Sequence, residues 1–170
     1  MTRASELFSR HDECTVFVAA FPEEVFAFAD DHAQFSAHMG SPSWMMLGSR
    51  MDTSVDAARG QEVGSHITMT GNVVGIPLVV DEVVVEHVVP WEKTWETVGT
   101  PRLLVIGAYR MGFRVLRHER GSAFRVFIDY SLPERHRWLG RLLGQVYARW
   151  CVKQMTKGVE RRFRRVTTSH

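Results

Sequence analysis

The side chains best suited to chemistry in this chain are three phenols, eight histidines and two cysteines. None falls at a spacing that performs a known reaction. His32, His38, His66, His87, His118 and His136 form no His-x-x-x-His pair and have no metal-like spacing. Cys14 and Cys151 stand at opposite ends without a neighbouring ligand pattern, so neither a zinc site nor a disulfide framework has a basis. There is no Ser-based nucleophile elbow, no Walker loop and no Gly-x-Gly-x-x-Gly, which removes covalent hydrolase, nucleotide hydrolysis and dinucleotide chemistry from consideration.

What the sequence offers instead is a wall. The densest aromatic stretch, Ile106 to Phe113, is followed by a second apolar run carrying Phe124, Phe127, Ile128 and Tyr130. In a strand alternate side chains share a face, so Tyr109, Met111 and Phe113 fall on one side. If that side is concave, it is an apolar surface with one phenolic handle, suited to a flat or greasy ligand. Ordinary core packing accounts for the same stripe. Tyr130 and Tyr147 can each orient a ligand carbonyl or make a structural hydrogen bond. Arg110 and Arg114 share the opposite face and are expected in water. A register slip of one residue would exchange the faces and make Arg110 the anchor for an acidic ligand.

In the run Leu78 to Val89, Glu82 and Glu86 are four apart and read as part of a solvated outer face. Asp81 and His87 then point inward, about 20 Å apart along an extended strand and too far to form an acid–base pair.

The elements that must position these residues follow from composition and period. At 170 residues, with 45% hydrophobic and 24% charged residues, the chain suits one domain with a substantial core. Residues 1–13 read as a flexible arm, 14–165 as a single domain and 166–170 as a tail. Met1 to Asp12 is polar and mixed in charge, unlike a signal peptide, and no apolar run reaches the ~20 residues of a membrane span. A soluble cytoplasmic protein with reduced thiols is the expectation.

Cys14 to Ala20 reads as a strand that stops at Phe21-Pro22. Pro22 with Glu23 and Glu24 opens a short helix whose Val25, Phe26, Phe28 and Ala29 give an apolar face. A second short helical piece spans Asp31 to Met39. Six strands follow, at Trp44 to Ser54, Val63 to Val74, Leu78 to Val89, Lys93 to Val98, Leu103 to His118 and Ser122 to Leu132. Short connections such as Gly75-Ile76-Pro77 and Arg120-Gly121 imply an antiparallel meander.

Trp138 to about Arg165 closes the chain as one long helix of about 40 Å. Its Leu139, Leu142, Leu143, Val146, Trp150, Met155, Val159 and Phe163 form an apolar stripe expected to seal against the sheet. Arg141, Arg149, Lys153, Lys157, Arg161 and Arg164 follow a second stripe. Between Glu134 and Arg165 ten cations stand against two acids, a local charge of +8 that leaves −6 on the rest.

This order is the α+β helix-grip arrangement, a curved antiparallel sheet of about seven strands around a long C-terminal helix, with two short helices after the first strand. The chain resembles the START/Bet v 1-like (SRPBCC) superfamily, which includes bacterial polyketide cyclases and lipid-transfer domains. The residues that carry the resemblance are Val16 to Phe28, Gly71 to Glu86, the Val89-Pro90 strand end with Trp95, and the closing helix. It implies a cavity between the concave sheet face and the last helix, where relatives bind lipids, sterols, quinones, plant hormones or aromatic polyketides. His32 and His38 belong to the short-helix region that forms a cavity mouth in relatives.

The expected function is therefore binding, transport or sequestration of a small hydrophobic ligand, with Tyr109, Met111, Phe113, Ile128, Tyr130, Tyr147 and Trp150 as wall residues. No catalytic residue, metal ligand or cofactor is assigned. One alternative is a polyketide cyclase or dehydratase in which a phenol or imidazole promotes enolisation and water loss. The other is an interaction protein that docks to an anionic membrane, ribosome or acidic partner through the basic helix. Nucleic-acid binding lacks support, because the terminal Arg-rich run has no interleaved aromatics.

Overall fold

Runs of β-branched and aromatic residues, broken by Gly, Pro and Asp, pair here into a single sheet. The structure, a computed structural model, describes residues 8–31, 35, 51–73 and 75–164. Along the chain lie β1 (Arg10–Val18), α1 (Pro22–Asp30), β2 (Met51–Val55), β3 (His66–Val73), β4 (Ile76–Val88), β5 (Glu92–Thr97), β6 (Tyr109–His118), β7 (Gly121–Tyr130) and α2 (Arg137–Arg164). The seven strands are antiparallel in the order β1-β7-β6-β5-β4-β3-β2. This is the expected meander, with the first strand added to the free edge of the last. The long α2 packs on β1 and β7, and α1 packs on β6 and β7. The result is the helix-grip α+β fold.

The β6–β7 turn shows how tightly β1 closes the sheet. Gly121 has φ 146°, and a Cβ there would lie 2.1 Å from the Val18 carbonyl oxygen, so no side chain fits.

Four boundaries or faces differ from the sequence reading, each for a physical reason. Strand β1 begins at Arg10, inside the segment expected to be a loose arm. Its first residues carry no β-branched signal and are held by charge: His11 Nδ1 lies 2.6 Å from Asp129 Oδ1, and Arg149 Nε donates to Asp12 Oδ1 at 2.9 Å. Strand β6 begins at Tyr109, six residues after the expected Leu103. The preceding segment leaves the sheet, apart from an Arg102–Val79 bridge, and runs beneath the start of α2. The expected second short helix lies mostly outside the described residues, as do Trp44 to Arg50, Val74, Arg165 and the tail. Of that helix Phe35 is described; it is buried, with ring centroids 5.4 Å from Phe113 and 5.9 Å from Phe124.

The third difference concerns α2. Leu142, Leu143 and Val146, expected to seal the sheet, are exposed. The inward face of the first half is Gly140, Gly144 and Ala148, followed by Cys151, Val152, Met155 and Val159. A Cβ on Gly140 or Gly144 would come within 3.1 or 2.9 Å of the Val105 carbonyl oxygen, so the helix sits nearly backbone to backbone on the 102–108 segment. Apolar period alone favours the larger side chains and is blind to such close approach.

The fourth is β4, where Val80, Glu82 and Val84 point inward and Val79, Asp81 and Val83 outward, the reverse of expectation. Register then shifts between Val84 and Glu86. That bulge inserts one residue and exchanges the faces beyond it, so His87 points inward after all.

Candidate functional site

The concave face of the sheet and α2 enclose a cavity of about 50 Å³. Its wall is almost wholly apolar: Val80 from β4, Trp95 from β5, Met111 from β6, Ile128 from β7, Leu103 and Ile106 from the crossing segment, and four methionines, Met51, Met69, Met111 and Met155. Alternation along paired strands accounts for the set, since Val84, Trp95, Met111 and Ile128 occupy one register line across the sheet. A volume of this size holds a few waters and falls short of the ~150 Å³ that admits benzene. Unbranched thioether side chains change rotamer readily, so a wall with four of them can yield to a larger guest.

Two polar groups meet on this wall. The Tyr109 hydroxyl donates a hydrogen bond to Glu82 Oε1, and the Trp95 indole also hydrogen-bonds Glu82. Glu82 is 1% exposed, and this burial raises its pKa to about 7, against the lowering effect of the two donors. The carboxyl is therefore poised between its acid and base forms near neutrality. Burial, together with the neighbouring Glu82 charge, holds the Tyr109 pKa well above 10, so the phenol stays protonated and donates. On the opposite wall Tyr147 hydrogen-bonds Cys151, whose thiol burial pushes up to about 12.

A second buried polar cluster lies under α1. Lys93 Nζ donates to Asp30 Oδ1 at 2.8 Å and to the Asp30 carbonyl at 3.0 Å, and His87 Nε2 lies 2.9 Å from the same Oδ1. Lys93 is fully buried, and desolvation lowers its pKa against the pull of Asp30. Phe26 packs on His87 with ring centroids 5.6 Å apart. These groups join the end of α1 to β4 and β5 and do not line the cavity.

Of the wall residues expected from sequence, Tyr109, Met111, Ile128 and Tyr147 line the cavity. Phe113, Tyr130 and Trp150 do not. Phe113 belongs to an aromatic cluster with Phe26, Phe35 and Phe124. Tyr130 is buried beneath α2 beside Gly144, and Trp150 is half-buried with its ring 6.0 Å from that of Tyr147. Arg110 and Arg114 stand on the outer face, Arg110 within 3.8 Å of Glu86 and Arg114 bonded to Glu92 at 2.8 Å. Asp81 is also outside, 3.2 Å from His66. His32 and His38 fall outside the described residues. Among the described residues no group of three His, Cys, Asp or Glu side chains is placed to hold a metal ion, and no helix is long and apolar enough to cross a membrane.

Outside the cavity is a groove of about 800 Å³, bounded by Ile76 to Leu78, Gly99 to Leu104, and Ser131 to His136. Leu103 lines both spaces. The groove is thus separated from the interior by little more than this side chain and its neighbours.

No family model and no curated protein matches the chain. Solved structures do. A Thermus thermophilus protein, TTHA0849, superposes with TM-score 0.65 over 95% of this chain and all of its own, at 16% identity. Truncated norcoclaurine synthase from Thalictrum flavum gives TM-score 0.65 at 11% identity, covering 95% of this chain and 94% of the synthase. The chain has the START/Bet v 1-like fold. A third similar structure, the di-domain ARO/CYC BexL from the BE-7585A biosynthetic pathway, gives TM-score 0.63 at 12% identity over 91% of this chain and 50% of that one. At these identities the likeness is one of fold, so what this chain does rests on its own side chains.

The sequence reading missed Glu82 as an interior residue. The signal that reveals it lies on the neighbouring strand: Trp95, the largest side chain of β5, faces the core opposite Val84, and two residues back along β4 the same face carries Glu82.

Proposed function

We propose that this protein binds a small, largely apolar molecule with one polar group, in the cavity between the sheet and α2. The observation that carries the reading is a methionine-rich apolar cavity with a single carboxyl–phenol pair on its wall. The apolar body displaces the Met side chains and is held by burial, at roughly 25 cal/mol per Å². The Glu82–Tyr109 pair reads the polar end: near neutrality Glu82 can accept a hydrogen bond as carboxylate or donate one as acid. The groove beside Leu103 is the entrance. Norcoclaurine synthase from Thalictrum flavum, which shares this fold, has a structure in complex with dopamine and hydroxybenzaldehyde, two small aromatic molecules with polar groups. Thermal denaturation with a panel of phenols, aryl ketones and medium-chain fatty acids tests the reading. A ligand at a hundred times its Kd raises Tm by about 5–10 °C, and Met111→Trp, which fills the cavity, removes the shift. No shift with any member of the panel rejects it.

A second reading, an acid–base enzyme of the cyclase or dehydratase kind, is favoured specifically by the near-neutral Glu82. In that case the carboxylate takes a proton from the carbon next to a ligand carbonyl, and the resulting acid returns it to a departing hydroxyl, which leaves as water. Deuterium uptake by acetophenone, catalysed by the wild type and lost in Glu82→Gln, supports this reading. Equal uptake by the two proteins excludes it.

A further inference from the structure

The first turns of α2 carry an apolar surface that the fold leaves uncovered. Trp138, Leu142, Leu143 and Val146 are 66%, 66%, 42% and 50% exposed. Trp138, Leu142 and Val146 recur every four residues and make one row along the helix, with Leu143 beside it. They face outward because Gly140, Gly144 and Ala148 occupy the inner face. The same side of the helix continues with the exposed Arg149, Lys153 and Lys157, and exposed Arg135, Arg137 and Arg141 surround its start. Arg149 is paired with Asp12. From Arg135 to Val159 the chain has six Lys/Arg and no Asp or Glu.

The charge pattern selects the occupant. A second copy of this chain across a two-fold axis would set these cations against themselves. A nucleic acid would meet the cations and leave Trp138, Leu142, Leu143 and Val146 facing phosphate. An anionic bilayer satisfies both halves of the surface, because apolar side chains enter the acyl boundary while Arg and Lys remain among the headgroups. Trp at the edge of the patch suits the headgroup level.

We propose that the N-terminal half of α2 docks on an anionic lipid surface, with Trp138, Leu142, Leu143 and Val146 at the acyl boundary and Arg137, Arg141 and Lys153 among the headgroups. Arg135 and His136, just before the patch, line the groove outside Leu103, so docking brings that groove to the membrane. An apolar molecule can then pass between bilayer and groove without crossing open water.

Co-sedimentation of the full chain with phosphatidylcholine vesicles, with and without phosphatidylglycerol, tests the proposal. Binding is expected to the phosphatidylglycerol vesicles and to weaken as salt is raised. The double variant Leu142→Glu/Val146→Glu, at exposed positions and checked for an unchanged circular dichroism spectrum, loses about tenfold or more in partitioning. Arg137→Gln and Arg141→Gln each lose about fivefold. Three results overturn the proposal: no association with either vesicle, equal association by wild type and Leu142→Glu/Val146→Glu, or a wild-type dimer in sedimentation velocity that the double variant dissociates.

Discussion

Two buried carboxylates in this molecule have been given opposite environments. Asp30, at the end of α1, is met by Lys93 and His87, and Lys93 also satisfies the Asp30 carbonyl. Glu82 is met by a phenol and an indole, neutral donors, and feels the Lys93 charge more weakly than either. An ion cluster that is internally complete fixes two elements against each other and has little left to offer a guest. A buried acid held by neutral donors stays near its own midpoint and can change state when a guest arrives. The difference separates a joint from a site, although both are polar groups in an apolar interior.

Substitutions that remove one partner at a time should keep these two regions apart. Lys93→Met has the largest effect: it leaves the Asp30 carboxylate buried beside His87 alone, and urea unfolding should show a loss of about 3–5 kcal/mol. A loss below about 1 kcal/mol would mean that the cluster is not a joint.

The next effect is in pH dependence. Glu82 holds its proton to about pH 7 in the native protein, while the unfolded chain releases it near 4.5. The native state is then favoured by protonation, so this contribution is fully present below pH 4.5 and is lost as pH rises to about 7. The loss amounts to about 3 kcal/mol. Glu82→Gln should abolish that part of the slope and so gain on the wild type with rising pH. Identical slopes would place the Glu82 proton elsewhere. The smallest effect is expected from Tyr109→Phe, which removes one donor at about 1 kcal/mol. It should also move the Glu82 midpoint further up, read by carbon NMR of the carboxyl. A midpoint that stays or falls would break the assignment of Tyr109 as the donor that stabilises the carboxylate.

The element order, the antiparallel meander and the inward face of β6 were all legible in the sequence, because alternation and turn residues there agree. The wall residues Tyr109, Met111 and Ile128 were reachable for the same reason, and Tyr147 as a phenol on the closing helix. Glu82 was not, since both faces of β4 carry valines and acids, and the pair Glu82 and Glu86 on one face argued for water there. Met155 and Val159 were placed on the inner stripe of α2, but Gly140 and Gly144 were not, because they contribute through what they lack. Phe113 shares the right face but lies further along β6, under α1, and Tyr130, level with Tyr109, is covered by α2 at Gly144. Strand period supplies direction and no depth.

The irregularity between Val84 and Glu86 has a consequence for what this strand can tolerate. Glu82 and His87 are five positions apart, an odd interval that a regular strand would send to opposite sides. One extra residue lets a single strand serve the cavity at one end and the α1 joint at the other. Deleting Val85 would leave them four positions apart, an even interval that strict alternation sends to one side, so the strand could lose this residue and keep both side chains inside.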